Sequence, residues 1–281
     1  MAATIQDAIM LLGDSITQGG FENNGFAARL ANAYMRKMDV VNRGYSGYNT
    51  NWIIPVFEQC FATQHEQQHV PKVRILTIWF GANDAALPPS PQHVPLEQYQ
   101  SNLAKLIRTV RSPDSPRYSP ETRIILLTPP PVDPTRWART LEETVEVGLR
   151  GLFQRTFEVT RQYAEAARDV GARESVPVVD VWTGIWEAAG RDMGRLGEYL
   201  YDGLHLNEKG YAVVYDALIS SIAEKYPEYR YDKLPNAVIE FKDIFSDPSK
   251  LYDITANPEK YWHLTTINKQ SVPADPISSS T

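Results

Sequence analysis

Residues 8–17 read AIMLLGDSIT: five apolar residues, a Gly13-Asp14 turn, then Ser15. A short apolar run bounded by turn residues is a strand signal, and four more runs of this kind follow at wide intervals, at Asp39–Val41, Val73–Phe80, Arg123–Thr128 and Val176–Val181. The intervening segments show helical spacing. Phe26, Leu30, Ala33, Tyr34 and Met38 fall on one stripe of a helix predicted over Phe26–Met38, and Ile53, Phe57, Cys60 and Phe61 on one over Thr50–Phe61. Pro55 in the latter places the expected start of regular helix near Ile53. Further helices are expected over Leu141–Val170, Thr183–Ala189 and Asn207–Lys225, the last with Asn207 as its side-chain cap. The Pro/Ser-rich stretches Pro88–Pro95, Arg111–Glu121 and Pro129–Pro134 are loops rather than domain linkers. Alternation of strand and helix means a parallel sheet with helices on both faces, an α/β fold with five strands.

The composition agrees with a folded globule. Of 281 residues, 43% are apolar and 22% charged, enough to bury a sizeable core. The net charge of −6 is too small and of the wrong sign for a protein held to nucleic acid by phosphate contacts. Cys60 is the sole cysteine, so no internal disulfide and no multi-cysteine metal site can form, and its place on an apolar helical stripe makes it a structural thiol. The first residues, MAATIQDAIM, carry neither a basic leader segment nor an apolar run of membrane length, so a cytoplasmic protein without stable membrane insertion is expected.

In an open parallel sheet the ligand crevice lies outside the carboxyl ends of the strands. The loops there read Gly13-Asp14-Ser15-Ile16-Thr17, Asn42-Arg43-Gly44-Tyr45-Ser46-Gly47 and Gly81-Ala82-Asn83-Asp84, and Asp202-Gly203-Leu204-His205-Leu206-Asn207 precedes the last helix. Ser15 on a tight turn would expose both a hydroxyl and a backbone N–H, which suits a nucleophile with an adjacent oxyanion donor. His205 is the histidine best placed to act as its base, and Asp202, three residues earlier, can orient the imidazole through its other nitrogen. Asp14 and Asp84 read as braces of their loops.

Together these loops resemble the SGNH branch of the GDSL esterases and lipases: GDSIT carries Ser15, NRGYSGYNT carries Gly44, GANDA carries Asn83 and DGLHLN carries Asp202 and His205. The resemblance implies a flavodoxin-like three-layer α/β/α sandwich, catalytic Ser15, Asp202 and His205, and an oxyanion hole made by the backbone amides of Ser15 and Gly44 with the Asn83 side chain. It implies no cofactor and no metal. On chemical grounds Gly44 would allow close backbone approach to a reacting carbonyl, and Asn83 would supply a neutral donor. The stretches WFGANDAALPPSPQHVPLEQYQSNL and ILLTPPPVD are similar to the isoamyl-acetate-hydrolysing esterase subgroup, which implies a small-molecule ester of short acyl chain as substrate and a small acyl pocket. Phe21, Tyr48, Trp52 and Trp137, the last in the loop after the fourth strand, are candidates for the pocket walls.

Two other motifs compete for attention. His65-Glu66-Gln67-Gln68-His69 spells the HExxH zinc signature, but its surroundings are polar on all sides, Pro71 follows at once, and the segment belongs at the amino end of the sheet. Gly44-Tyr45-Ser46-Gly47 lacks the final glycine of a G-x-S-x-G elbow, since Tyr48 stands there, so Ser46 reads as a turn residue. The expected activity is a serine esterase acting on acetate-type esters. Carbohydrate deacetylation and thioester hydrolysis are alternatives on the same scaffold, and a binding module without activity is the remote one.

The resemblance spans about Ile9 to Tyr226, so residues 1–226 are expected to form the catalytic domain. Residues 227–281 form an aromatic-bearing extension with Tyr229, Tyr231, Val238, Ile239, Phe241, Ile244, Phe245, Tyr252, Tyr261 and Trp262. It is expected to pack on the core or on a partner subunit as a homodimer contact, with the last residues loose.

Overall fold

The structure, a computed structural model, describes residues 6–22, 24–238 and 240–249. Five parallel strands, β1 (Asp7–Gly13), β2 (Met38–Gly44), β3 (Val73–Trp79), β4 (Arg123–Leu127) and β5 (Val178–Val179), form one sheet in the order β2-β1-β3-β4-β5. All seven residues of β1 are buried. Ile9 and Leu11 belong to the core on one face, and Met10 and Leu12 to the core on the other, as the two-residue period of a strand requires.

Nine α-helices are described. α1 (Ser15–Gln18), α2 (Phe26–Ala33), α3 (Thr50–Cys60), α4 (Leu96–Arg111), α5 (Pro134–Thr144), α6 (Phe157–Glu174), α7 (Val181–Ala188), α8 (Glu208–Lys225) and α9 (Phe241–Ser246) follow in chain order. Residues of α2, α5, α7 and α8 fill the core that contains Ile9 and Leu11, and residues of α3, α4 and α6 fill the one that contains Met10 and Leu12. The result is the three-layer α/β/α sandwich. None of the described helices is long and apolar enough to cross a membrane.

Several boundaries depart from the sequence pattern, each for a local reason. The helix over residues 26–38 stops at Ala33, because Tyr34 leaves helical geometry, Arg36 takes a φ of 63° and Met38 pairs with Asp7 as the first residue of β2. The helix at Thr50 begins there and not near Ile53: Asn49 caps it by accepting from the Trp52 N–H at 3.0 Å, and Pro55 only frees the carbonyl of Asn51, an exposed residue. Leu141–Val170 is two helices, since Val145 turns extended after α5 and Thr156 caps α6 by accepting from the Val159 N–H. Not among the expected helices, the sixteen residues of α4 run between β3 and β4 and bury Tyr99, Asn102, Leu103, Leu106, Ile107 and Val110. Predicted over Val176–Val181, β5 shortens to two residues because Asp180 already serves as the cap of α7.

After α8 the chain returns over the core. Tyr226 donates its hydroxyl to the Ile124 carbonyl at 2.9 Å, Tyr34 donates to the Tyr229 carbonyl at 2.8 Å, and the Ala237 N–H donates to the Arg36 carbonyl at 2.7 Å. Ile239, Tyr252, Tyr261, Trp262 and the tail, like residues 1–5, lie outside the described residues. Tyr34 is fully buried, so deleting its hydroxyl removes one hydrogen bond and leaves a carbonyl short of a partner, a loss of about 1–2 kcal/mol. Tyr34→Phe should lower the melting temperature by roughly 2–6 °C with an unchanged far-ultraviolet circular dichroism spectrum; an unaltered melting temperature would show that the Tyr229 contact contributes nothing.

Candidate active site

The strand order places β1 between β2 and β3, so the loops after these strands meet at one switch point at the carboxyl edge of the sheet. Ser15 is the first residue of α1. Its turn is held by Asp14, which is buried and accepts from the Ile16 N–H at 2.9 Å. Burial pushes the Asp14 carboxyl up to about 6, against the opposing effects of that N–H and of His205.

Asp202 and His205 arrive from the far end of the chain, between Leu200 and Leu206, which pair as an antiparallel bridge. The Asp202 carboxylate folds the loop around itself. One oxygen accepts from the Leu204 and His205 N–H groups at 2.8 and 2.7 Å, and the other faces His205 Nδ1 at 2.6 Å. Burial opposes ionisation here, but the bonds and charge of His205 outweigh it and hold the carboxyl below its ordinary value. Gly203 has φ of 98°, and a Cβ there would come within 2.5 Å of the Trp137 nitrogen, so the loop admits no side chain at this point.

An ionised carboxylate only accepts, so Nδ1 carries the proton and donates it to Asp202. In the neutral ring Nε2 is then the acceptor, and it lies 2.9 Å from Ser15 Oγ. Trp137 meets the His205 ring edge-on at 6.1 Å and Tyr201 stacks on it at 5.8 Å.

Asn83 is buried in the loop that follows β3. Its Nδ2 donates to the Tyr48 carbonyl at 2.8 Å, and its Oδ1 accepts from Arg155 Nη2 at 2.8 Å and from Gln92 Nε2 at 3.2 Å. Gln92 Nε2 also donates to the Gly47 carbonyl at 3.0 Å. Burial lowers the Arg155 guanidinium to about 10, while Asp14, Asp202 and Asp84 pull it back up. Asp84 braces the neighbouring loop by accepting from the N–H and hydroxyl of Thr50 at 3.0 and 2.5 Å.

The N–H of Gly44, expected as an oxyanion donor, is already engaged. It donates to Asn42 Oδ1 at 2.8 Å, and the Gly44 Cα lies against α1, where a Cβ would come within 2.0 Å of the Gln18 nitrogen. Gly44 is thus a packing glycine between β2 and α1. Gly47, three residues on, has φ of 80°, shares Gln92 with Asn83, and its N–H has no partner among the described residues. The residues alone do not separate the two glycines; the positive φ of Gly47 and the Asn42 bond to Gly44 belong to the folded turn.

Of the expected pocket rings, Trp137 reaches the site, whereas Tyr48 offers its backbone carbonyl to Asn83 and turns its ring to Tyr45 and Trp52. Trp137 belongs to α5 and not to a loop, because Asp133 caps a helix that begins at Pro134. Trp52 meets Tyr48 edge-on at 6.2 Å, and Phe21 sits on a 3-10 turn after α1; both are exposed. Gln92 and Arg155 lie in loops without periodicity and offer no signal in the sequence.

The HExxH segment forms a short 3-10 turn before β3, with the Glu66 carboxylate bonded to the Thr63 N–H and hydroxyl at 2.8 Å. His65 and His69 stack edge-on at 5.4 Å, and no group of three metal-ligating residues occurs among the described residues. Cys60 is half-buried on α3, and burial raises its thiol pKa. A concavity of about 450 Å³ between α4 and the loop before β4 lies at the opposite end of the sheet from Ser15.

Burial raises the Asp84 carboxyl from 3.8 to about 7, so the folded state holds its proton more tightly than the unfolded chain does. The stability this gives is fully present below about pH 4 and is lost as pH rises through about 7. Asn is neutral at every pH and keeps the acceptor oxygen for Thr50. The melting temperature of Asp84→Asn relative to wild type should therefore climb between pH 4 and 8; a constant difference would contradict a raised carboxyl.

Comparison with known proteins agrees with this architecture. The GDSL-like lipase/acylhydrolase family model matches residues 11–213. An Arabidopsis thaliana GDSL esterase/lipase is 38% identical over 220 residues, 77% of this chain and 86% of that protein. The human isoamyl acetate-hydrolyzing esterase 1 homolog is 36% identical over 226 residues, 80% and 84% of the two chains, and the Saccharomyces cerevisiae isoamyl acetate-hydrolyzing esterase is 28% identical over 254 residues, 87% and 98%. Among solved structures, a lipase/acylhydrolase from Enterococcus faecalis superposes with a TM-score of 0.54 at 23% identity, covering 82% of this chain and 98% of its own. An acetylxylan esterase from Geobacillus stearothermophilus gives 0.55 at 20% identity, covering 78% and 95%. The chain belongs to the GDSL-like lipase/acylhydrolase family and is an ester hydrolase.

Proposed function

We propose that the protein hydrolyses short-chain, acetate-type carboxylic esters through an acyl-enzyme on Ser15. The observation that carries this is the continuous relay from Ser15 Oγ to His205 Nε2 at 2.9 Å and from His205 Nδ1 to Asp202 at 2.6 Å. Ser15 Oγ attacks the ester carbonyl as Nε2 takes its proton, and the Asp202 carboxylate stabilises the imidazolium that forms. The imidazolium then returns the proton to the departing alkoxide, which leaves as the alcohol. Water, deprotonated by Nε2, attacks the acyl carbon in turn and frees the carboxylic acid and Ser15.

The negative oxygen of each tetrahedral intermediate takes hydrogen bonds from the Ser15 amide, the second N–H of the Asn83 side chain and the Gly47 amide, the last in the role first assigned to Gly44. Asn83 has one N–H committed to Tyr48 and one remaining. The relative named isoamyl acetate-hydrolyzing esterase supports the acetate preference, as does the Trp137 ring that stands edge-on beside His205.

Ser15→Ala should reduce hydrolysis of p-nitrophenyl acetate to background and abolish labelling by an organophosphate, read by intact mass. Asn83→Ala should stay folded and lose about 10²–10³-fold in kcat. Retained turnover in Ser15→Ala would exclude the acyl-enzyme. Values of kcat/KM measured on an alkyl acetate, an alkyl octanoate, an acetylated sugar and an acyl-CoA should rank the alkyl acetate first; a higher value for any other would reassign the substrate class.

A further inference from the structure

Arg155 has no assigned part in the chemistry, yet it is 3% exposed, and burying a guanidinium is costly unless its donors are matched. Its partners are unusual in kind. Nε donates to the Ala82 carbonyl at 2.6 Å, Nη1 to the Phe153 carbonyl at 2.8 Å, and Nη2 to Asn83 Oδ1 at 2.8 Å and Gln92 Oε1 at 3.0 Å. Every one of these acceptors is neutral. Asp14, Asp202 and Asp84 are felt only through their fields, and Trp137 lies under the guanidinium at 5.5 Å.

The donor–acceptor chemistry leaves the Asn83 amide one orientation. Arginine has donors only, so the atom facing Nη2 must be Oδ1, and the Tyr48 carbonyl accepts only, so the atom facing it must be Nδ2. The same logic fixes Gln92, whose Oε1 must face Arg155 and whose Nε2 then reaches both Asn83 Oδ1 and the Gly47 carbonyl. One planar fork therefore sets Asn83 directly and the Gly47 turn through Gln92.

We infer that Arg155 is the positioning residue of the oxyanion hole: it locks the Asn83 amide with one N–H left for the oxyanion, and its unpaired charge polarises that amide. The inference rests on the acyl-enzyme reading above and names the residue that prepares its oxyanion donor. A charge bonded to the amide oxygen strengthens the amide N–H as a donor. The benefit grows as negative charge develops on the substrate oxygen, so it belongs to the transition state and registers in kcat more than in KM. Lysine keeps the charge but is a single point donor on a flexible stem and cannot hold four acceptors around a plane.

The test is a double-mutant cycle on p-nitrophenyl acetate, with Arg155→Lys and Arg155→Met each made in the wild-type and Asn83→Ala backgrounds. In the wild-type background, kcat should fall about 10-fold or more for Lys and about 10²-fold for Met, with KM within about 3-fold. In the Asn83→Ala background, either change should lower kcat by less than about 3-fold, because the amide through which Arg155 acts is gone. Equal fold-losses in both backgrounds, or an unchanged kcat with only a lower melting temperature, would overturn the inference. Arg155→Lys carries the cycle if Arg155→Met does not fold, and failure of both to fold would assign Arg155 to the fold alone. Ser15→Ala is measured alongside: turnover surviving there defeats the acyl-enzyme reading itself, whereas its loss together with additive Arg155 and Asn83 effects defeats only the role of Arg155.

Discussion

The structure depends on the complete burial of β1. All seven of its residues are enclosed, with neighbouring strands on both edges and a helical layer on each face. A strand in that position has no freedom to slip, since a shift by one residue would exchange the two core faces. Ser15 lies two residues beyond its end, so the hydroxyl that faces His205 hangs from a strand enclosed on every side. Gly13, Gly44 and Trp79 share one register across β2, β1 and β3, which brings the next two loops level with it.

Around that rigid edge, polar groups are held by a few acceptors and donors that each serve several partners. The Asp202 carboxylate alone fixes two backbone N–H groups and the imidazole. The Phe153 carbonyl accepts from both Trp137 Nε1, at 2.7 Å, and Arg155. The histidine wall and the Asn83 amide thereby share one anchor in the segment between α5 and α6. Withdrawn from water, these bonds are stronger than they would be at the surface, and an unmatched member would be correspondingly expensive. The buried carboxyls answer to the same rule. Asp202, met by donors from His205, stays ionised more readily than usual, while Asp14 and Asp84 are driven by burial toward their neutral forms.

Much of this was legible in the residues. Short apolar runs announced all five strands, most plainly β1, β3 and β4, because a buried parallel strand needs no polar alternation; β2, at the sheet edge and mostly half-buried, shows only the pair Val40-Val41. The D-G-x-H spacing announced the Asp202 to His205 contact, because the aspartate both caps its own turn and reaches the ring three residues on. Helix ends were less readable. Ala33 closes α2 where the apolar stripe continues through Tyr34 and Met38, since Met38 is claimed by β1 as a strand partner. α4 was not among the expected helices although Tyr99, Leu103, Leu106, Ile107 and Val110 recur at helical spacing with Glu97, Lys105, Arg108 and Arg111 on the outer face, so it too was legible in the residues.

By itself the sequence determined what is local: alternation of strand and helix, the turns that carry Ser15 and His205, and the cap at Asn207. Only the tertiary structure decided which glycine keeps its N–H free and what stands behind Asn83. Gly44 and Gly47 lie three residues apart in one loop, and nothing in their identity says that Asn42 engages the first. Arg155 is separated from Asn83 by 72 residues and from Gln92 by 63. A hydrogen bond across such a separation follows from packed layers bringing loops together at one sheet edge, and a buried donor takes whichever acceptors that packing provides.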